Sequence, residues 1–403
     1  IGEGKNFRSA EKDIKEYLKK KNLLFKEELY EHTYPFCWRC SSPLFYYLQP
    51  SWVLKTKKFK DVLIKENQKI NWVPSHLKEG RFGEWLKELK DWNFSRKRFW
   101  GTPLPIWRCE KCKKYLALGS KEDFKKQIFS KNRYFILRHA ECIYNQKKIL
   151  NFEKKDQYPL TKKGKKEAKL SAKKLKKLLK GKKIDLIFSS PFLRCKETAE
   201  IVAKEIGFEK EIILDERLKE INLGKKWEGK PKKEFEKKFL DYPQKLFDVA
   251  PEGGESWLEV KKRMLDFLEE LERKYQGKNI LIVSHGDPLW MLWGAMEGWQ
   301  KKDYFKKGKK RDYIKKAELR ELTFRRFPYD EKGELDFHRP YIDKVKFLCP
   351  FCKKGEMIRE KDVVDCWFDS GAMPFAQDHW PFSQKETLPP KYFPADFICE
   401  GID

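Results

Sequence analysis

What this chain does without narrows it first. Nowhere in its 403 residues does an apolar run approach the ~18 residues that a membrane-spanning helix needs. The N-terminus also lacks the apolar core of a secretory signal. The expectation is a soluble, cytoplasmic protein with no membrane partner. Acidic residues are in deficit, 62 against 90 lysines and arginines, leaving a net charge of +28. That imbalance favours a polyanionic partner such as RNA, yet lysine spread along the whole chain equally describes an ordinary solvated surface. Histidine is scarce, at six residues, and no internal repeat is visible.

The 40% hydrophobic and 15% aromatic content is ample for real cores, and the length predicts two or three domains. The chain begins with Ile1 rather than Met and stops at Asp403 directly after an apolar, strand-like stretch, so it reads as a fragment. Composition divides it into an aromatic-rich segment (1–130), a lysine-rich segment (131–326) and a second aromatic-rich segment (327–403). In the first, Ser9 is placed to cap a helix carrying Ala10, Ile14, Tyr17 and Leu18 on one face. Phe82, Trp85, Leu86 and Leu89 make a stripe of helical period, and both sets are expected in the core.

The middle segment alternates strand and helix signals. YFIL is followed by a helix with Leu170, Leu175, Leu178 and Leu179, then IDLIFSS and a helix through Glu197 to Ile206. EIIL, a long helix from Trp257 to Tyr275 and NILIVSH complete the series. This rhythm predicts an α/β domain with a largely parallel sheet, in which ligands bind where strands end. The strand-end residues are Arg138-His139, Ser189-Ser190 and Ser284-His285. Two histidines in equivalent places, with Arg138 and Arg194 as guanidinium forks, suit a phosphate.

Five stretches in order, LRHAECIYN, YPLTKKGKKEAKLSAKKL, SSPFLRCKETAEIVA, LDERLKEINLG and IVSHGDP, resemble the histidine phosphatase (phosphoglycerate mutase-like) superfamily. The resemblance implies that His139 is the nucleophile and that Arg138, Arg194 and His285 hold the transferring phosphoryl group. It further implies Asn145 as an additional phosphate ligand, Glu220 as the acid that protonates the leaving oxygen, and no cofactor for this domain. Departures from the family pattern are Ala140 after the nucleophile, the lengthened GKKWEG, and Asp287-Pro288 after His285. The substrate is an unknown phosphorylated molecule: a small phosphoester, a phosphoprotein and an RNA terminal phosphate are all open.

Six of the ten cysteines fall in CxxC pairs, a spacing that suits metal better than a disulfide framework in a chain of this length. Cys349/Cys352 has the look of a zinc knuckle, free buried thiols being the alternative reading. Its candidate partner, Cys109/Cys112, is too distant for one zinc site unless residues 131–326 are set aside, which leaves an ordinary spacing of about 40 residues. The middle segment is then a guest inserted between the halves of one structural Zn²⁺ site. Cys37/Cys40 would be half of a second site.

The flanks resemble the isoleucyl-tRNA synthetase family of class I synthetases. The stretches that carry this are HTYPFCWRCSSPLFYYLQPSWVLK, INWVPSHLKEGRFGEWLKELKDWNFSRKRFWGTPLPIW, HRPYIDKV and DVVDCWFDSGAMPFAQ, followed by FPADFICEGID. The implied architecture is a three-layer α/β guest inserted into part of a Rossmann-type catalytic domain with a zinc knuckle. Residues 1–130 would comprise the tail of an editing domain, connective catalytic-domain sequence and the first knuckle half. Residues 327–403 would hold the second half and the strand region for the amino acid. By the same resemblance, Trp367 would pack on an isoleucine side chain, and Glu400, Gly401 and Asp403 would hold the amino acid and adenylate. ATP, Mg²⁺, isoleucine and tRNA(Ile) would be partners of the complete protein. The HIGH and KMSKS signatures of that family do not occur in these 403 residues. Arg96, Arg98 and Trp100 carry no assigned role. Rival readings are a free phosphomonoesterase with decayed flanks and a non-catalytic module that binds phosphate or tRNA.

Overall fold

The computed structural model describes residues 7–44, 48–239, 244–309, 313–382 and 393–399. The chain separates into two compact units, Ile1–Ser51 and Trp52–Asp403. The first contains helix α1 (Phe7–Lys20), on whose solvent side Lys15 pairs with Glu11 and Glu27. Ser9 lies inside α1 rather than ahead of it, because the helix starts earlier at Phe7. Ala10 is buried, but Ile14 and Tyr17 are exposed.

In the second unit, the strands of the two larger sheets are β1 (Ile106–Cys109), β2 (Tyr115–Ala117), β3 (Arg133–Arg138), β4 (Leu186–Ser189), β5 (Ile213–Leu214), β6 (Asn279–Ser284), β7 (Leu319–Leu322), β8 (Phe347–Leu348) and β9 (Glu356–Arg359). The principal helices are α2 (Lys162–Leu179), α3 (Leu193–Ile206), α4 (Trp257–Lys274) and α5 (Gly286–Glu297). The five-stranded sheet runs in the order β7-β3-β6-β4-β5, parallel throughout except for β7 at one edge.

The sheet is buried on both faces, as a parallel sheet must be. Successive residues of β3 divide between two cores. Phe135 and Leu137 pack with Ala172, Leu175 and Leu179 of α2 and with Ala199 and Val202 of α3. Tyr134 and Ile136 pack with Met264 and Phe267 of α4 and with Leu289 and Trp290 of α5. The result is a three-layer α/β domain. α2 begins at Thr161, whose hydroxyl accepts from the Gly164 N–H, and α4 begins at a reciprocal Ser256–Glu259 capping box. Leu170 faces solvent; the buried stripe of α2 is Gly164, Ala168, Ser171, Ala172, Leu175 and Leu179.

The second larger sheet joins residues from both sides of the middle segment. Its order is β8-β9-β1-β2, all antiparallel, with Met357 opposite Cys109. Trp107, Phe124, Phe327, Phe347 and Met357 form its core. The ends of the middle segment meet on one carboxylate. Glu272 Oε1 accepts from Ser130 Oγ at 2.5 Å, Asn132 Nδ2 at 3.0 Å and Tyr134 Oη at 2.5 Å, while Oε2 accepts from Arg326 at 2.8 Å. Closely spaced ends are what make an insertion cheap, since the host then has only a short gap to bridge. Leu86 is buried as its stripe requires, whereas Trp85 is exposed. Among the described residues no helix is long and apolar enough to cross a membrane.

Candidate active site and metal centre

β3 and β6 lie side by side and parallel, with Arg138 opposite Ser284. The next residue of each strand is a histidine, so His139 and His285 leave the same end of the sheet, with ring centroids 5.3 Å apart. Both are fully buried. Nδ1 of His139 lies 2.8 Å from the Ala140 carbonyl oxygen. A carbonyl can only accept, so the ring proton sits on Nδ1 and the lone pair on Nε2. The Tyr144 hydroxyl donates to that lone pair at 3.2 Å.

Arg194, on the first turn of α3, is also fully buried. It donates to Asn151 Oδ1 at 2.5 Å and to the Asn151 carbonyl at 3.1 Å. Its Nε and Nη2 lie 3.3 and 3.1 Å from Nδ1 of His285. With guanidinium donors on Nδ1, the His285 proton is on Nε2, which donates to Ser190 Oγ at 2.8 Å. Asn151 is itself fixed by Glu228, whose carboxylate accepts from Asn151 Nδ2 at 2.7 Å and from the Phe152 N–H at 2.8 Å.

Burial, then the charges of Arg194 and Arg138, holds the His139 imidazole well below its ordinary titration range. Burial, Arg194 and the neighbouring His139 do the same to His285. Both rings are therefore neutral near pH 7. Glu220 moves the other way. Burial and the Asp287 carboxylate push it up to about 7, against the pull of Arg194 and Arg138. Its Oε2 lies 3.8 Å from Nδ1 of His285.

A cavity of about 460 Å³ opens beside this cluster, with the fully buried His139, Arg194 and His285 behind its wall rather than lining it. Arg138, Tyr144, Asn145, Asn151, Glu220, Asp287 and Tyr313 line it, with Ile149, Phe152, Leu223 and Phe235 as apolar wall and Lys148 and Lys232 beside them. Arg138 donates through Nη1 to the Ile314 carbonyl at 2.9 Å, and its buried Nε has no hydrogen-bond partner. Asn145 accepts from the Cys142 N–H at 3.2 Å, which leaves the amide nitrogen as its donor. Gly286 has a steric reason: a Cβ there would lie 2.5 Å from Tyr313 Oη and 3.1 Å from Arg138 Cζ. A nucleophilic lone pair, an unpaired guanidinium donor and a carboxyl that keeps its proton to about pH 7 are together suited to phosphoryl transfer.

Tyr144, Asn151 and Glu228 were not singled out by sequence. Glu228 sits in the GKKWEG stretch, where only its loop shape had drawn notice. Asn151 follows KKIL with no signal of its own.

The four cysteines expected to share a metal are brought together, their sulfurs all within 4.8 Å of one another. Cys109–Cys352 and Cys112–Cys349 Sγ distances are both 3.7 Å. A tetrahedral ion with metal–sulfur bonds of about 2.3 Å needs sulfurs about 3.8 Å apart, so the set fits one such ion. The two loops are built alike. Lys113 N–H donates to the Cys109 carbonyl at 3.1 Å and Lys353 N–H to the Cys349 carbonyl at 2.9 Å, and Lys113 and Lys353 each take φ in the left-handed region, at 60° and 52°. The Lys354 and Gly355 N–H groups bring the Cys352 thiol down to about 6. A Cβ on Gly355 would meet Cys109 Sγ at 2.5 Å, so only glycine fits.

Other expected site residues are not gathered. Cys37 and Cys40 lie on a turn, Ser41 N–H to Cys37 O at 2.8 Å, and among the described residues no further ligand completes a metal group with them. Trp367 is 66% exposed on a helix (Cys366–Ala376) capped by Asp365. Arg96 pairs with that same Asp365 and so serves the fold. Glu400, Gly401 and Asp403 lie outside the described residues.

Residues 5–163 and 300–403, well over half of the chain, match the family of tRNA synthetases class I (I, L, M and V). The chain belongs to that family. Within this synthetase chain, residues 134–326 match the histidine phosphatase superfamily (branch 1). The isoleucine–tRNA ligase of Dehalococcoides mccartyi strain 195 is 54% identical over 122 residues, and that of Thermus thermophilus is 57% identical over 122 residues. Each match covers 30% of this chain and 12% of the relative, so the synthetase chain spans about an eighth of the length of the curated relatives it matches. The solved structure of Bacillus stearothermophilus YhfR is similar at 26% identity, covering 51% of this chain and 98% of that one with a TM-score of 0.40.

Proposed function

We propose that the middle of this synthetase chain is a phosphomonoesterase acting through a phosphohistidine. The observation that carries the proposal is the convergence of His139, His285, Arg138 and Arg194 at the ends of two adjacent parallel strands, beside a cavity with the raised carboxyl of Glu220. An incoming phosphoryl group displaces the Tyr144 hydroxyl from His139 Nε2. Arg138, Arg194, Asn145 and His285 neutralise and orient its oxygens, and Nε2 attacks phosphorus in line with the leaving oxygen. Glu220 gives that oxygen its proton. As a base, Glu220 then draws a proton from the water that releases phosphate from His139. Hydrolysis of p-nitrophenyl phosphate by the purified chain, abolished in His139→Ala, is the expected result; undiminished hydrolysis in that variant refutes the assigned nucleophile.

For the host, we propose that the flanks are part of an isoleucine–tRNA ligase, with isoleucine, ATP with Mg²⁺ and tRNA(Ile) as the complete protein's ligands and Trp367, Glu400, Gly401 and Asp403 on the amino-acid side. The identity of 54–57% to named isoleucine ligases supports this. The four-cysteine group would hold a structural Zn²⁺ that ties the halves of the host together across the guest. Neighbouring DNA coding in frame for the HIGH and KMSKS signatures is the expected finding, and stop codons bracketing this segment would sink the ligase half.

A further inference from the structure

We propose that the solvent face of α2 is a docking surface for the phosphate backbone of double-helical RNA, a partner that the ligase reading, on which this rests, supplies as tRNA. Nine of the 18 residues of α2 are lysine and one, Glu167, is acidic. Lys162, Lys166, Lys169, Lys173 and Lys176, continued by Lys180 at the C-cap, alternate four and three residues apart. That spacing makes a single stripe along an α-helix. All six are exposed. The stripe cannot roll away from solvent, because Gly164, Ala168, Ala172, Leu175 and Leu179 anchor the opposite side in the core. Successive ammonium groups rise about 5 Å along a helix of roughly 27 Å. That length spans several phosphates of a duplex strand.

Two comparisons within the chain separate this stripe from a general surplus of lysine. α4 has the same length, 18 residues, and balances five basic residues with five acidic ones. α3, which packs beside α2, carries three of each. Nor is the stripe neutralised in place. Lys169 pairs with Glu205 at 3.6 Å, and among the described residues the other five are in no ion pair. A row of unpaired cations held in one line by a packed core is unfavourable in itself, since like charges repel along a helix face. Phosphates laid along the row would relieve that repulsion while releasing their own counterions.

The test compares the 403-residue chain with a variant carrying Lys162→Gln, Lys166→Gln, Lys169→Gln, Lys173→Gln and Lys176→Gln, titrated against transcribed tRNA over a salt series. Each lost phosphate contact removes about 0.7–0.9 from the slope of log K against log salt. The expected result is a slope smaller by about 3.5 to 4.5 and at least a tenfold weaker Kd at about 0.1 M salt, with p-nitrophenyl phosphate hydrolysis and the thermal midpoint unchanged. Equal slopes and affinities in both proteins would overturn the stripe and leave the ligase reading standing. Absence of RNA binding by both proteins would likewise overturn the stripe, whereas the ligase reading stands or falls on the neighbouring DNA. Binding to phosphatidylserine vesicles that exceeds binding to RNA and is lost in the variant would assign the stripe to a membrane surface instead.

Discussion

Replacing Glu220 by glutamine tests the general acid in two independent ways. The carboxyl keeps its proton up to about pH 7 in the folded chain, whereas the ordinary value is 4.5. Between those limits the folded state binds a proton that the unfolded state has released, so stability is greatest below the lower value and is lost as pH rises through the upper one. At about 1.4 kcal/mol per pH unit, the loss by pH 8 is on the order of 3 kcal/mol. Glu220→Gln has no such proton, so its stability relative to wild type should climb by that amount between pH 4 and pH 8, read as unfolding midpoints. Activity should move oppositely. Wild-type kcat/KM on an alkyl phosphate should fall above pH 7 as the acid ionises, and the variant should lose about 10²- to 10⁴-fold and lack that limb. p-Nitrophenolate leaves without a proton, so loss on p-nitrophenyl phosphate should be far smaller. Equal losses on the two substrates, with the alkaline limb intact, would refute the assignment.

Asn151→Ala removes the side-chain acceptor that fixes Arg194 and leaves the half-buried Glu228 carboxylate short of a donor. Vanadate affinity should drop at least tenfold, with about 1.5–3 kcal/mol of stability lost, and Glu228→Gln should show a milder form of the same binding defect; unchanged vanadate binding in both would remove these residues from any positioning role. Cys349→Ser combined with Cys352→Ser should lose one zinc per chain by elemental analysis, unchanged stoichiometry ruling this pair out as ligands. Gly355→Ala should release zinc more readily to a chelator than wild type, because its methyl group is driven against Cys109 Sγ; identical release rates would contradict that packing.

The parts of the site that sequence reveals are those with a local signature. β3 and β6 announce themselves as apolar runs that each end in a histidine, and parallel pairing converts that shared pattern into proximity. The clustering of the four cysteines was legible because CxxC is a local device and because removing 131–326 restores an ordinary spacing. Asn151 and Glu228 were not legible, since their work depends on what lies across the fold: Asn151 meets Arg194 from 43 residues away and Glu228 from 77. Tyr144 was missed although its partner His139 is only five residues away, because nothing in the local pattern says that the hydroxyl turns back onto the ring. Trp85 shows the opposite error. It fits a helical period, but the helix seats instead on Gly83 and Leu86.

The most direct measurement of the central claim is to locate the phosphoryl group on the enzyme. The chain is quenched in alkali during turnover of a phosphomonoester, digested and sequenced by mass spectrometry. One acid-labile phosphoryl group on the peptide bearing His139, formed as fast as turnover and absent from His139→Ala, is the predicted result. Turnover with no such adduct, or with the phosphoryl group on His285 or a cysteine, would contradict it.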